Sequence, residues 1–108
     1  MTWFLVSDDL AFHPKAIMAG NAALGMWVRA GSWAGQQLTD GYIPTDMARS
    51  LGTPAQARRL TDAGLWLPCG NGYAFHQWDE RQPSRKDVEA RRRKNAERLA
   101  KWREKHSE

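Results

Sequence analysis

The chain has 108 residues, 42% of them hydrophobic and 26% charged, and a formal net charge of +4. That length gives room for one domain with a modest core. No apolar run approaches a membrane span and no signal peptide opens the sequence, so no membrane partner is expected. A single cysteine, Cys69, excludes an internal disulfide and suits a reducing compartment, so a cytoplasmic location is expected. Charge is unevenly placed. Residues 1–81 hold six Lys/Arg against seven Asp/Glu, a net of −1, and residues 82–108 hold ten against five, a net of +5. A basic arm thus extends from a nearly neutral body, and such arms often bind nucleic acid.

Trp3-Phe4-Leu5-Val6 is a short apolar run with β propensity and predicts a strand, beside a hairpin expected over 65–76. Asp8 or Asp9 starts the next segment, and residues 12–18 (FHPKAIM) predict a short helix with Pro14 in its first turn. Asn21 is a good N-cap for a longer helix over 22–37. Leu24, Trp27 and Val28 give that helix a buried stripe, and Ala30, Gly31 and Ala34 allow close approach. Its interior glycines weaken it by about 1 kcal/mol each, so packing must hold it. Thr39-Asp40-Gly41 then turns the chain into Tyr42-Ile43, a candidate small strand.

Residues 42–76 carry the strongest local signals. A helix is expected over 45–51, a turn at Gly52 and a second helix over 54–63. Thr53 is its N-cap, Pro54 occupies the first helical position, and Gln56 completes a capping box. Gly64 ends the helix in a left-handed cap. Leu65-Trp66-Leu67 and Tyr73-Ala74-Phe75 flank Gly70-Asn71-Gly72, which predicts the hairpin. Helix, turn, helix and hairpin is the order of a winged helix-turn-helix. The expected core comprises Leu24, Val28, Ile43, Met47, Leu51, Leu60, Leu65 and Phe75, with Trp27, Trp33 and Trp66.

Within the second helix Ala57, Leu60 and Gly64 share one face, and Ala55, Arg58, Arg59 and Asp62 share the opposite one. The planar fork of arginine suits guanine edges and phosphates. Solvated helix faces also carry arginine pairs, but here the hairpin and the basic tail favour DNA. Gln56, Arg58, Arg59 and, in the hairpin turn, Asn71 are therefore candidate DNA contacts.

Pro83 bars helix at Gln82, and Ser84 caps a last helix with Asp87 three residues on. From Arg85 to about Lys105 the composition is helical, with acid-before-base pairs Asp87–Arg91, Glu89–Arg93 and Glu97–Lys101. Arg91, Lys94, Arg98, Lys101 and Lys105 line one face and are candidate phosphate contacts. Val88, Leu99 and Trp102 form a stripe beside them, too thin for a coiled coil. The helix either lies back on the domain through Trp102 or swings free until DNA orders it; a solvated, frayed tail is the plainer alternative. The expected fold is thus mainly α with a small β-hairpin or sheet: a winged helix-turn-helix over 1–80, a linker over 81–84 and a basic C-terminal helix or arm over 85–108.

Catalysis finds little support. His13, His76 and His106 are far apart in sequence, and no HxxxH or CxxC spacing occurs, so neither a metal nor another cofactor is expected. Cys69 is read as structural rather than nucleophilic. Asp8-Asp9 and Asp79-Glu80 suit turns or caps. Trp78 and Trp102, flanked by charge, either stack on bases or a partner, or anchor the tail helix.

The opening WFLVSDDLAFHPK, then TDGYIPTDMARSLGTPAQARRLTDAGLW, the hairpin GYAFHQWDERQPS and the run RRRKNAERLAKWREK form a recognisable order. Together they resemble the N-terminal winged-helix domain of phage replisome organisers and related DnaD-type replication initiation proteins. The similarity is greatest to prophage-encoded versions from high-GC Gram-positive hosts. It spans nearly the whole chain, through helix caps and aromatic anchors rather than catalytic signatures. The resemblance implies binding of origin or primosome DNA and recruitment of replication partners. Such proteins usually continue into a second domain, whereas this sequence stops after the basic helix, so double-stranded DNA binding is the expectation carried over. Two functional classes stay open: a DNA-binding module in phage replication or regulation, and an interaction module that forms a homodimer or binds a host or phage replication protein.

Overall fold

The computed structural model describes residues 3–106. A 3-10 turn (Leu10–Phe12) leads into α1 (Pro14–Ala19) and α2 (Asn21–Gln37); β1 (Tyr42–Pro44), α3 (Thr45–Leu51) and α4 (Pro54–Asp62) come next. Then come β2 (Trp66–Cys69), β3 (Gly72–Phe75), the one-turn α5 (Trp78–Arg81) and the long α6 (Arg85–His106). The three strands form an antiparallel sheet in the order β1-β3-β2. Ile43 faces Tyr73 across one ladder, and Trp66 faces Phe75 across the other. A helix, a strand paired to the far arm of the hairpin, two helices joined by a tight turn and the hairpin itself make a winged helix-turn-helix, with β2–β3 as the wing.

Local chemistry accounts for most element ends. His13 caps α1 by accepting a bond from the Lys15 N–H at 3.2 Å. Thr53 and Gln56 form the reciprocal capping box of α4, at 3.1 and 3.0 Å. At its other end the Gly64 N–H donates to Thr61 O and the Leu65 N–H to Leu60 O, with Gly64 at φ +80°, a complete Schellman motif. The wing turns through Gly70-Asn71, and Gly72 is required next to it: a Cβ there would overlap the Ile43 carbonyl oxygen of β1.

The core is one continuous cluster. Ile43, Leu60 and Trp66 are its largest fully buried side chains. Beside them lies an aromatic cluster of Phe4, Trp27, Phe75 and Trp78, with ring centroids 5.1–5.9 Å apart. Such edge-to-face and offset pairs add to the burial of the rings themselves. The Phe4 ring lies over Gly31, where a Cβ could not stand. Trp33, Leu24, Met47, Leu51 and Leu65 pack partly buried around this core.

Several expectations are corrected. Residues 3–6 form no strand. The Leu5 backbone bonds a side chain rather than a strand: the Leu5 N–H donates to Gln82 Oε1 at 2.8 Å, and Gln82 Nε2 donates to Leu5 O at 2.7 Å. Val28 is 45% exposed, because α2 buries Ala23, Met26, Ala30 and Ala34. At 3.6 residues per turn that places Val28 roughly 140° from the buried centre. Asn21 is the first helical residue rather than the N-cap; Gly20, at φ +84°, takes the cap position because one residue must reverse the chain between α1 and α2. Trp78 is only 5% exposed and packs on Gly41, so it anchors the chain leading to the tail and is not free to stack on bases.

The tail helix is rooted and then free. The Ser84 hydroxyl accepts from the Asp87 N–H at 3.1 Å, and the Asp87 carboxylate accepts from the Ser84 N–H at 3.4 Å. The Arg85 N–H, an orphan donor of the first turn, donates to Asp40 Oδ1 at 2.6 Å, and Val88 is buried. From Arg91 to His106 every residue is exposed, so Trp102 does not fold back onto the domain. None of the three expected acid-before-base pairs closes among the described residues, whereas Arg85 and Glu89 pair at 3.0 Å. The radius of gyration of 17.2 Å exceeds the roughly 13 Å of a compact domain this size, as a projecting helix requires. Among the described residues no helix is long and apolar enough to cross a membrane. Residues 107 and 108, the end of the expected arm, lie outside the described residues.

Candidate nucleic-acid interface

Helix α4 is fixed at both ends by its capping box and Schellman motif, so its outward side chains have a rigid base. Ala57 and Leu60 are buried and Arg58 and Arg59 exposed, as the helical period predicts. Gln56 is half-buried and commits Oε1 to the cap, which leaves Nε2 as the end of its amide outside the capping box.

Two hollows flank α4. One lies between α4 and the wing, with Arg58, Thr61 and Asp62 on the helix side and Pro68, Gly70 and Tyr73 on the hairpin side. The other lies between α4 and α1, lined by Met18, Ala55, Arg58, Arg59 and Asp62. Arg58 borders both. Arg59 reaches over the start of α2, its Nη1 3.9 Å from where a Cβ on Gly20 would stand. The wing is braced against the helix-turn-helix: Asn71 O accepts from both the Thr45 N–H at 2.9 Å and the Thr45 hydroxyl at 2.6 Å. That fixes the backbone of the turn and leaves Asn71 itself exposed.

Sequence reasoning gave no role to two neighbouring cations. Arg49 is exposed on α3 and lines a hollow with Thr53, Pro54 and Tyr73. Lys15 on α1 lies against the end of α4, its Cε 3.6 Å from the Cβ position of Gly64. The Lys15 position results from α1 docking on α4, a tertiary event no local pattern encodes. Arg29, by contrast, is structural: its Nη1 donates to Leu51 O at 3.3 Å and ties α2 to the end of α3.

The remaining candidates lie apart from α4, on α6. Arg91, Lys94, Arg98, Lys101 and Lys105 are all exposed. Of these, Arg98 also donates to Asn95 Oδ1 at 3.2 Å. Elsewhere the Ser7 hydroxyl, 2.6 Å from Asp9, holds the Asp9 carboxyl below the usual carboxylate range, with His13 and Arg81 adding to the effect. No cluster of three or more metal-ligating side chains occurs among the described residues, and Cys69 is a free, exposed thiol on β2. No family model, curated protein or solved structure matches the chain.

Proposed function

We propose that this chain is a winged-helix protein that binds double-stranded DNA in a bacterial cytoplasm, acting in phage replication initiation as a replisome organiser does, or as a small phage regulator. The observation that carries the reading is the placement of Arg58 and Arg59. Both stand exposed on a helix capped at each end, and Arg58 shares a groove with the wing. In this reading α4 enters the major groove, its arginines bond base edges or flanking phosphates, and the braced turn at Asn71 meets the adjacent backbone. Gln56 contributes through Nε2. The cations of α6 add sequence-independent phosphate contacts.

The test is a binding selection from random duplex DNA, then titration of the selected site. Wild type should bind with an affinity that falls steeply with salt, and an Arg58→Ala/Arg59→Ala double variant should lose most of its preference for that site. A double variant that binds the selected site like wild type refutes the assignment of α4. A second reading draws on Phe12, Ile17 and Met18, which are exposed together within residues 12–18. There the chain forms a homodimer or binds a replication protein of phage or host, and needs no DNA. Light scattering across a concentration series separates a dimer from a monomer.

A further inference from the structure

The cationic stripe of α6 leaves Leu99 and Trp102 unexplained. Both are large and apolar, and they remain 53% and 58% exposed. Trp102 is stacked on one neighbour: the His106 ring lies 4.4 Å away at an interplanar angle of 22°, with His106 Nδ1 2.8 Å from Trp102 O. One face of the indole is thus occupied by an imidazole held in place by the helix backbone. At roughly 100° per residue, Leu99, Trp102 and His106 fall within a sector of about 60°. Arg98 and Lys105 border it on one side and Arg103 on the other, while Glu97 and Glu104 fall on the far face.

We infer that this strip of α6 binds single-stranded nucleic acid, a base stacking on Trp102 while the bordering cations neutralise the backbone on either side. The bases of a duplex are already stacked on one another, whereas those of a single strand have free π-faces, and aromatic side chains beside a cationic track are the usual platform for them. A second copy of α6 fits poorly, because residues 91–106 carry eight Lys/Arg against two Asp/Glu. A membrane surface fits poorly too, since two exposed apolar side chains make too narrow a face for an interfacial helix. The inference rests on the proposed reading that α6 touches nucleic acid, but not on α4. A protein holding duplex on α4 and a freed strand on α6 would suit a junction between the two.

Fluorescence anisotropy of the full chain tests this with labelled oligothymidylate, oligouridylate and a duplex. Trp102→Ala should weaken single-strand binding by about fivefold to a hundredfold, the effect of removing one base–aromatic stack. Trp102→Phe should restore most of it. Circular dichroism checks that both variants keep their helix content, and duplex affinity should be unchanged in both. The Arg58→Ala/Arg59→Ala variant should keep its single-strand affinity, so failure of the α4 reading and failure of this one register separately. Preference for one oligonucleotide over the other names the source as DNA or RNA. The inference is overturned if neither single strand binds wild type, if Trp102→Ala binds them like wild type, or if it weakens duplex binding equally.

Discussion

Arg58 and Arg59 are neighbours in sequence with different surroundings, and their replacement should read differently. Arg58 borders the groove shared with the wing, and on the proposed reading, with α4 in the major groove, its guanidinium would meet base edges. Arg58→Ala should cost about 1–3 kcal/mol of affinity and relax preference at one base pair of the selected site. Arg59 leans over the start of α2, away from the wing groove, and on the proposed DNA-binding reading it is assigned to a phosphate. Arg59→Ala should weaken selected and random duplexes alike, and titration against both separates the two roles. Beneath them Leu60 is fully buried. Leu60→Ala should destabilise the fold by about 2–5 kcal/mol, through lost burial and an unfilled cavity. Chemical denaturation measures it, and an unchanged midpoint would mean the helix face is wrongly assigned.

At the scale of elements, the sequence was most legible where structure is set locally. The bounds of α3, the start of α4 at Pro54, the wing and the start of α6 are set by caps, glycines and turn chemistry within a few residues of each boundary. Arg58 and Arg59 on an outer face result from helical periodicity alone. The illegible parts depended on partners distant in the chain. The buried face of α2 is built largely of alanine and glycine around Met26, so the pattern of large apolar residues pointed wrongly to Val28. Charged neighbours around Trp78 concealed that α5 turns it inward, and the Asp40–Arg85 bond joins residues 45 apart. Gly72 shows how sharply an element can depend on one position. Gly72→Ala would force β3 off the β1 backbone, with no flexible side chain to yield. It should lower thermal stability far more than substitution of the exposed Asn71, which calorimetry of the two variants would compare.

For the whole molecule, the DNA-binding proposal, set against a nearly neutral body and a basic projecting helix, predicts two separable contributions to affinity. A chain ended after Ala90 keeps the docked root of α6, including Val88, and loses the cationic stripe. The slope of log affinity against log salt should then fall by about 0.9 for each phosphate contact removed, on specific and random duplexes alike. Retention of the full slope would mean that the stripe does not touch DNA.

The root of α6 has a further consequence. A helix of 22 residues reaches about 33 Å, so a pivot of about 10° at its base carries the tip about 6 Å. Along a duplex that is an uncertainty of nearly two base pairs at about 3.4 Å per step. If the tail contacts DNA as proposed, the bond from Arg85 to Asp40, with the buried Val88 beside it, would act as a calibration of how far from α4 the tail can land. Asp40 sits at φ +54°, where glycine is at ease, so Asp40→Gly would release the bond without straining the turn. In a hydroxyl-radical footprint of that variant, protection under α4 should keep sharp edges while protection from the tail blurs across neighbouring base pairs. Equal sharpness at both ends would show that the distance is set elsewhere.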